Sequence, residues 1–223
     1  MNAKEITYNF LFDMGELTSY TNHISHFKEL FSMTKVDTFL EFGCGYSTKY
    51  FIDNCEKVIS VEFQTDGTDL EWMEKCRLMF ADCENWEGID YIASKKFSDA
   101  CGHQCSAKTD PAKVDPTYVT ELDGFIKSIL SQHRVDVAFV DAGIYIRGDM
   151  VELLLQNKVP IVIAHDTASD DGKQVGQYGW FKIKSLDNYE KIFISYGNGT
   201  TFFIDKKEQA LINKIKAYQL TFN

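Results

Sequence analysis

An apolar run, Thr38-Phe39-Leu40, ends in the acid Glu41 and leads through Phe42 to two glycines one residue apart, Gly43 and Gly45. A polar stretch, Tyr46-Ser47-Thr48, then opens a helical pattern. This is the pattern of a buried parallel strand turning sharply into a helix beside a ligand. Glycine permits the turn and lets a ligand come close where a Cβ would collide. The free N–H groups beyond the turn can serve the ligand's polar atoms. A dinucleotide loop carries a third glycine three residues after the second, and Thr48 stands there instead. A second apolar run, Val58-Ile59-Ser60-Val61, ends in Glu62, about twenty residues on, where an acid reaches a ribose. Glu41 suits a cofactor with a cationic amino end and would repel a pyrophosphate.

Glu41-Phe42-Gly43-Cys44-Gly45-Tyr46-Ser47-Thr48, followed by Ile59-Ser60-Val61-Glu62, resembles motif I and post-motif I of the class I S-adenosylmethionine-dependent methyltransferases. Val135-Asp136-Val137-Ala138-Phe139-Val140-Asp141 is similar to motif IV, and Pro160-Ile161-Val162-Ile163-Ala164-His165-Asp166 to the next strand. The resemblance spans roughly residues 36–205. It implies S-adenosylmethionine as cofactor, held by Gly43, Cys44, Gly45 and Ser47, with Glu41 near its amino end and Glu62 on its ribose. It implies methyl transfer, here to a hydroxyl of a small molecule or sugar, with Asp141, His165 and Asp166 facing the acceptor.

The chain has 223 residues, enough for one domain with a full core. The expected fold is α/β: a doubly wound, mostly parallel sheet of seven strands with an antiparallel last strand and helices on both faces. Residues 1–35 are expected to form an N-terminal helical cap and 94–116 a loop insertion. A net charge of −10 gives nothing to a phosphate backbone, so nucleic acid is not an expected partner. No apolar run approaches the ~20 residues of a membrane span, and the N-terminus lacks a signal-peptide pattern. Six cysteines form no evident disulfide framework, which suits a reducing cytoplasm. Oligomeric state is not legible.

Hydrophobic periodicity predicts strands over 37–42, 57–62, 89–93, 135–141 and 160–164, and a hairpin of 191–196 and 200–205 around Gly197-Asn198-Gly199. Helices are predicted over 21–32, 47–54, 68–82, 117–132, 147–156 and 206–218. The first has Thr21 as cap, and it either packs on the sheet or covers the acceptor site. Glu41, Glu62, Asp141 and Asp166 all fall at carboxyl ends of strands, where ligands bind in such sheets.

Methyl transfer to a hydroxyl needs donor and acceptor in line and a route for a proton. His165 is the side chain best matched to taking that proton near neutral pH; its rival role is a bond to a backbone carbonyl. Magnesium between Asp141 and Asp166-Thr167 fits oxygen ligands, but the metal-dependent branch carries a lysine where Ile144 stands, so a metal is not favoured. Cys101, His103 and Cys105 give one clump where structural zinc takes paired clumps, so zinc is not expected. Gln174, Gln177, Tyr178, Trp180 and Phe181 either wall an acceptor pocket or anchor their loop. Arg147-Gly148-Asp149 reads as a helix start. Three rival functions stay open: a dinucleotide-dependent oxidoreductase, aminopropyl transfer to a polycation, and a cofactor-binding module without turnover.

Overall fold

A computed structural model describes residues 22–64, 70–94, 117–142, 146–167 and 177–222. The region 1–21 with Thr21, most of the 94–116 insertion with Cys101, His103 and Cys105, and Ile144, Tyr145 and Gln174 lie outside the described residues.

The elements in chain order are α1 (Ile24–Met33), β1 (Thr38–Phe42), α2 (Thr48–Asn54), β2 (Lys57–Gln64), α3 (Leu70–Met79), β3 (Trp86–Ile92), α4 (Thr117–Gln132), β4 (Val137–Val140), α5 (Arg147–Gln156), β5 (Ile161–His165), a 3-10 segment (Gln177–Lys182), β6 (Tyr189–Ile194), β7 (Thr200–Asp205) and α6 (Gln209–Gln219). One seven-stranded sheet has the order β3-β2-β1-β4-β5-β7-β6. β1 pairs in parallel with both β2 and β4, and β4 with β5. β7 runs antiparallel between β5 and β6. The expected mostly parallel sheet with an antiparallel final strand is therefore the one observed.

Alternation along the strands builds two cores. Leu40, Phe42, Ile59, Val61, Ala138 and Val140 face α4 and α5. Phe39, Val58, Phe139, Ile163 and Phe202 face α1, α2, α3 and α6. Phe27 and Leu30 of α1 are completely buried in the second core, so the helix packs on the sheet. The period-two rule then sends Glu41, Ser60, Glu62, Asp141 and His165 to the α1 side at the carboxyl ends of their strands.

Most predicted boundaries differ by one to three residues. Among the largest discrepancies is β3, which begins at Trp86 rather than 89. Gly88 hides this strand start, since glycine weakens a strand pattern. A Cβ on Gly88 would lie 2.6 Å from the Trp86 ring. Its absence lets the indole lie along the strand and donate to Ser60 Oγ at 2.8 Å.

The start of α5 is pressed against the 3-10 segment. A Cβ on Gly148 would lie 2.1 Å from the Gly179 carbonyl oxygen. Tyr178 and Gly179 both have positive φ, 60° and 71°, so the segment is bent to make this approach. Lys182 Nζ and the Tyr118 hydroxyl both donate to Asp149 Oδ2 at 2.7 Å, tying α4, α5 and the segment together. Gly148→Ala should lower unfolding stability by about 2 kcal/mol through overpacking against backbone, read from the denaturant midpoint at unchanged slope.

Candidate active site

The strand order reverses between β1 and β4, and that is where a doubly wound sheet opens a crevice. Gly43 closes this point from below. Its φ is +108°, and an added Cβ would meet the Asp141 carbonyl oxygen at 2.8 Å. Its N–H donates to the Val61 carbonyl at 2.9 Å, while the Asp141 N–H donates to the Phe42 carbonyl at 2.9 Å. Gly43 is thus required by backbone packing alone. Gly45 is different. Its φ is not positive, and a Cβ there would meet nothing within 4 Å. The described protein leaves space at Gly45 that a ligand can fill.

Glu41 lies wholly buried beneath this loop. Its Oε1 accepts from Thr48 Oγ1 at 2.6 Å and from Ser60 Oγ at 2.5 Å. Thr48 Oγ1 in turn accepts the Gly45 N–H at 2.9 Å, so the acid holds the glycine loop through one hydroxyl. Oε2 is buried with no hydrogen-bond partner among the described residues. Burial drives the Glu41 pKa up to about 8, against the two hydroxyls that favour the ionised form. Glu62, at the end of β2, accepts the Cys44 N–H at 3.1 Å. Trp72 of α3 donates its indole N–H to the Cys44 carbonyl at 2.7 Å. The Cys44 thiol is buried, and its pKa is raised by a hydrogen bond with Cys76 and by desolvation. Ser47 is buried at the start of α2, with no side-chain cap bond.

Across the switch point the three predicted acceptor-side residues do come together. His165 Nδ1 lies 3.2 Å from Asp141 Oδ1 and 3.6 Å from Asp166 Oδ1. His165 is only 2% exposed, and its Nε2 lies 3.0 Å from Asn22 Oδ1. The imidazole therefore stands behind the two partly exposed carboxylates. Asp166 has φ +58°, a strained setting for a non-glycine residue. Asn198, from the β6–β7 turn, donates to its Oδ1 at 2.9 Å.

Arg147 joins the carboxylates, a role not foreseen for a residue read as a helix start. Its Nη1 lies 3.0 Å from Asp141 Oδ1 and 2.9 Å from Asp166 Oδ2. Nη1 also donates to the His165 carbonyl at 3.3 Å, and Nε donates to the Ala142 carbonyl. The Tyr178 ring stacks 4.1 Å from the guanidinium carbon. Tyr178 thus belongs to the site as the wall behind Arg147, while Trp180 is buried in the core and Phe181 is exposed. Asp141 is held at a pKa of about 2 by Arg147 and His165, which outweigh desolvation. The signal for Arg147 was its position six residues after a strand-end acid, at the first turn of a helix starting from the same edge. Asn22 and Asn198 gave no sequence signal, since loop amides are common.

No protein-family model and no curated protein matches the sequence. Solved structures do match. The S-adenosylhomocysteine-bound methyltransferase PaMTH1 of Podospora anserina aligns at TM-score 0.54 and 12% identity, over 92% of this chain and 88% of that one. An O-methyltransferase from Bacillus cereus in complex with S-adenosylhomocysteine aligns at 0.54 and 13%, over 91% and 90%. A methyltransferase from Geobacter sulfurreducens aligns at 0.50 and 11%, over 91% and 87%.

Two substitutions test the geometry. Arg147→Ala strands two carboxylates and should cost about 3 kcal/mol, with part of the loss recovered by millimolar magnesium in thermal unfolding. Glu41→Gln tests the buried acid. The folded pKa is raised, so the stability tied to the bound proton is full below about 4.5 and is lost as pH rises through about 8. Between pH 5 and 8 the stability difference should therefore shift toward Glu41→Gln by about 2–3 kcal/mol, measured by urea unfolding at each pH. The seven-stranded sheet and the structural matches agree: this chain has the fold of the class I S-adenosylmethionine-dependent methyltransferases.

Proposed function

We propose that the protein is an S-adenosylmethionine-dependent methyltransferase acting on a hydroxyl of a small molecule. The observation that carries this reading is the loop at Gly45. A glycine that neither φ nor packing demands sits beside open space, above a buried carboxylate with an unpartnered oxygen. Those features fit a ligand with an apolar body and a cationic amino group. Two matched structures hold S-adenosylhomocysteine, which adds weight to the same cofactor here.

Gly43, Cys44 and Gly45 would receive the cofactor's methionine end, with Ser47 behind them. Glu41 would face the amino end from beneath the loop, and the ammonium there would favour its ionised form. Glu62 would hold the ribose hydroxyls while keeping its bond to the Cys44 N–H. When bound, the cofactor supplies an electrophilic methyl group on a sulfonium. The chain's own task is to orient the acceptor and place its proton. Asp141 does this as an ionised, partly exposed carboxylate that accepts the acceptor hydroxyl's hydrogen bond. A carboxylate held near pKa 2 is a weak base, so its part is mainly orientation. His165 and Arg147 fix Asp141 from behind and from the side, and Asp166 shapes the neighbouring wall.

Magnesium bridging Asp141 and Asp166 would have to displace the guanidinium that already spans them, so the reading is of transfer without magnesium between these two acids. The overall negative charge favours a small-molecule acceptor over nucleic acid. Among the described residues no helix is long and apolar enough to cross a membrane. Cys44, Cys55, Cys76 and Cys83 are free thiols, in keeping with a cytoplasmic setting.

Calorimetry with S-adenosylhomocysteine should give one site per chain, and nicotinamide dinucleotides should give none. Glu62→Ala should weaken that site by about 1.5–3 kcal/mol through lost charge-assisted bonds. Unaltered affinity in the variant would take Glu62 out of the ribose role. No heat with well-folded protein would remove the cofactor reading.

A further inference from the structure

His23 is a buried polar side chain without an assigned task. It precedes α1 and is 1% exposed, and neither Nδ1 nor Nε2 has a hydrogen-bond partner among the described residues. A buried imidazole with two unmet nitrogens is costly, so it calls for an explanation. Its ring sits 4.6 Å from the His165 ring, centroid to centroid, at an angle of 66°. Donor atoms of His23, Asp141 and His165 all lie within 4.8 Å of one another.

The geometry points to a mononuclear site for a divalent transition metal of the zinc or ferrous class, bound by imidazole nitrogens of His23 and His165 and a carboxylate oxygen of Asp141. Two imidazoles bound at ~2.1 Å to one ion hold their rings at about the separation seen here. Donors sharing such an ion lie no more than ~4.2 Å apart, so small side-chain rotations close the site. The 3.2 Å between His165 Nδ1 and Asp141 Oδ1 already matches two ligands side by side on one ion. The outer shell can support this. Asn22 Oδ1 lies 3.0 Å from His165 Nε2, so when an ion replaces the Nδ1–Asp141 hydrogen bond, a proton on Nε2 donates to Asn22 and leaves the Nδ1 lone pair for the metal. A bond from the far ring nitrogen to a carbonyl oxygen is the usual way a metal-binding histidine is oriented.

Two nitrogens and one oxygen select a borderline transition ion over magnesium or calcium, which take oxygen. Arg147 touches Asp141 Oδ1 and Asp166 but neither imidazole's free nitrogen in the described contacts. The charge balance admits an ion: one guanidinium against two carboxylates leaves one negative charge. Asp141 is the only ligand with appreciable exposure, 22% of its side chain, so positions left open on the ion face the crevice.

This site is independent of the cofactor reading, and the test keeps the two apart. Metal-stripped full-length protein is titrated with Zn²⁺ by calorimetry and with Co²⁺ by visible absorption, without any adenosyl ligand. The expected result is one equivalent of either ion and cobalt ligand-field bands of a nitrogen–oxygen site. His23→Gln should weaken Zn²⁺ binding at least tenfold and abolish the bands. Asn22→Ala should weaken binding severalfold while leaving the three ligands in place. Circular dichroism and urea unfolding of each variant establish that it is folded. Absence of a stoichiometric site, or binding unchanged by His23→Gln in folded protein, overturns the proposal. Should His23→Gln not fold, the Asn22→Ala arm decides: unchanged Zn²⁺ affinity there overturns it as well.

Discussion

One guanidinium is shared between the ends of β4 and β5. Arg147 Nη1 lies within about 3 Å of both Asp141 and Asp166 and also meets the His165 carbonyl, while Nε donates to the Ala142 carbonyl just past β4. Two carboxylates this close to each other and to a buried imidazole repel strongly in a medium of low polarisability. Without the arginine, one of them would turn toward solvent. With it, both are held in place, and the crevice at the switch point keeps its shape. The bend of the 3-10 segment, the Tyr178 stack and the Gly148–Gly179 contact all support the arginine's position.

The opposite wall works on a different principle. Beneath the glycine loop a single carboxyl group carries no neutralising cation and is kept by hydroxyls alone. Trp86, Ser60, Glu41, Thr48 and the Gly45 amide form one continuous chain of hydrogen bonds from β3 to the loop. Such a chain polarises along its length and stiffens the loop. The crevice thus lies between an ionic wall that is permanently charged and a neutral wall whose charge depends on pH.

The fold was largely legible. Glycine spacing, strand-end acids and the alternation of apolar runs are local patterns, and backbone sterics make local patterns reliable. They placed β1, α2, β2, α4, α5 and the final hairpin, and they brought Glu41, Gly43, Gly45, Glu62, Asp141, His165 and Asp166 to one edge of the sheet. What was not legible was pairing at long range. That Thr48 and Ser60 would share Glu41, that Arg147 would reach both aspartates, and that Asn22 would meet His165 are outcomes of tertiary packing with no periodic signature. Trp86 illustrates the same limit, since its place in β3 depends on a glycine two residues on and a serine on the adjacent strand.

The contact between Asn22 and His165 joins residues 143 positions apart, and a Cβ on Gly197 would fall 2.1 Å from the same asparagine's amide nitrogen. The wall around His165 and Asp166 is therefore assembled from the beginning, the middle and the far end of the chain. During synthesis the glycine loop can form as soon as the first strands emerge, whereas this wall must wait for the closing hairpin. Contacts of such long sequence separation form late, so a ribosome-bound chain would gain its two halves in a fixed order, with the loop first.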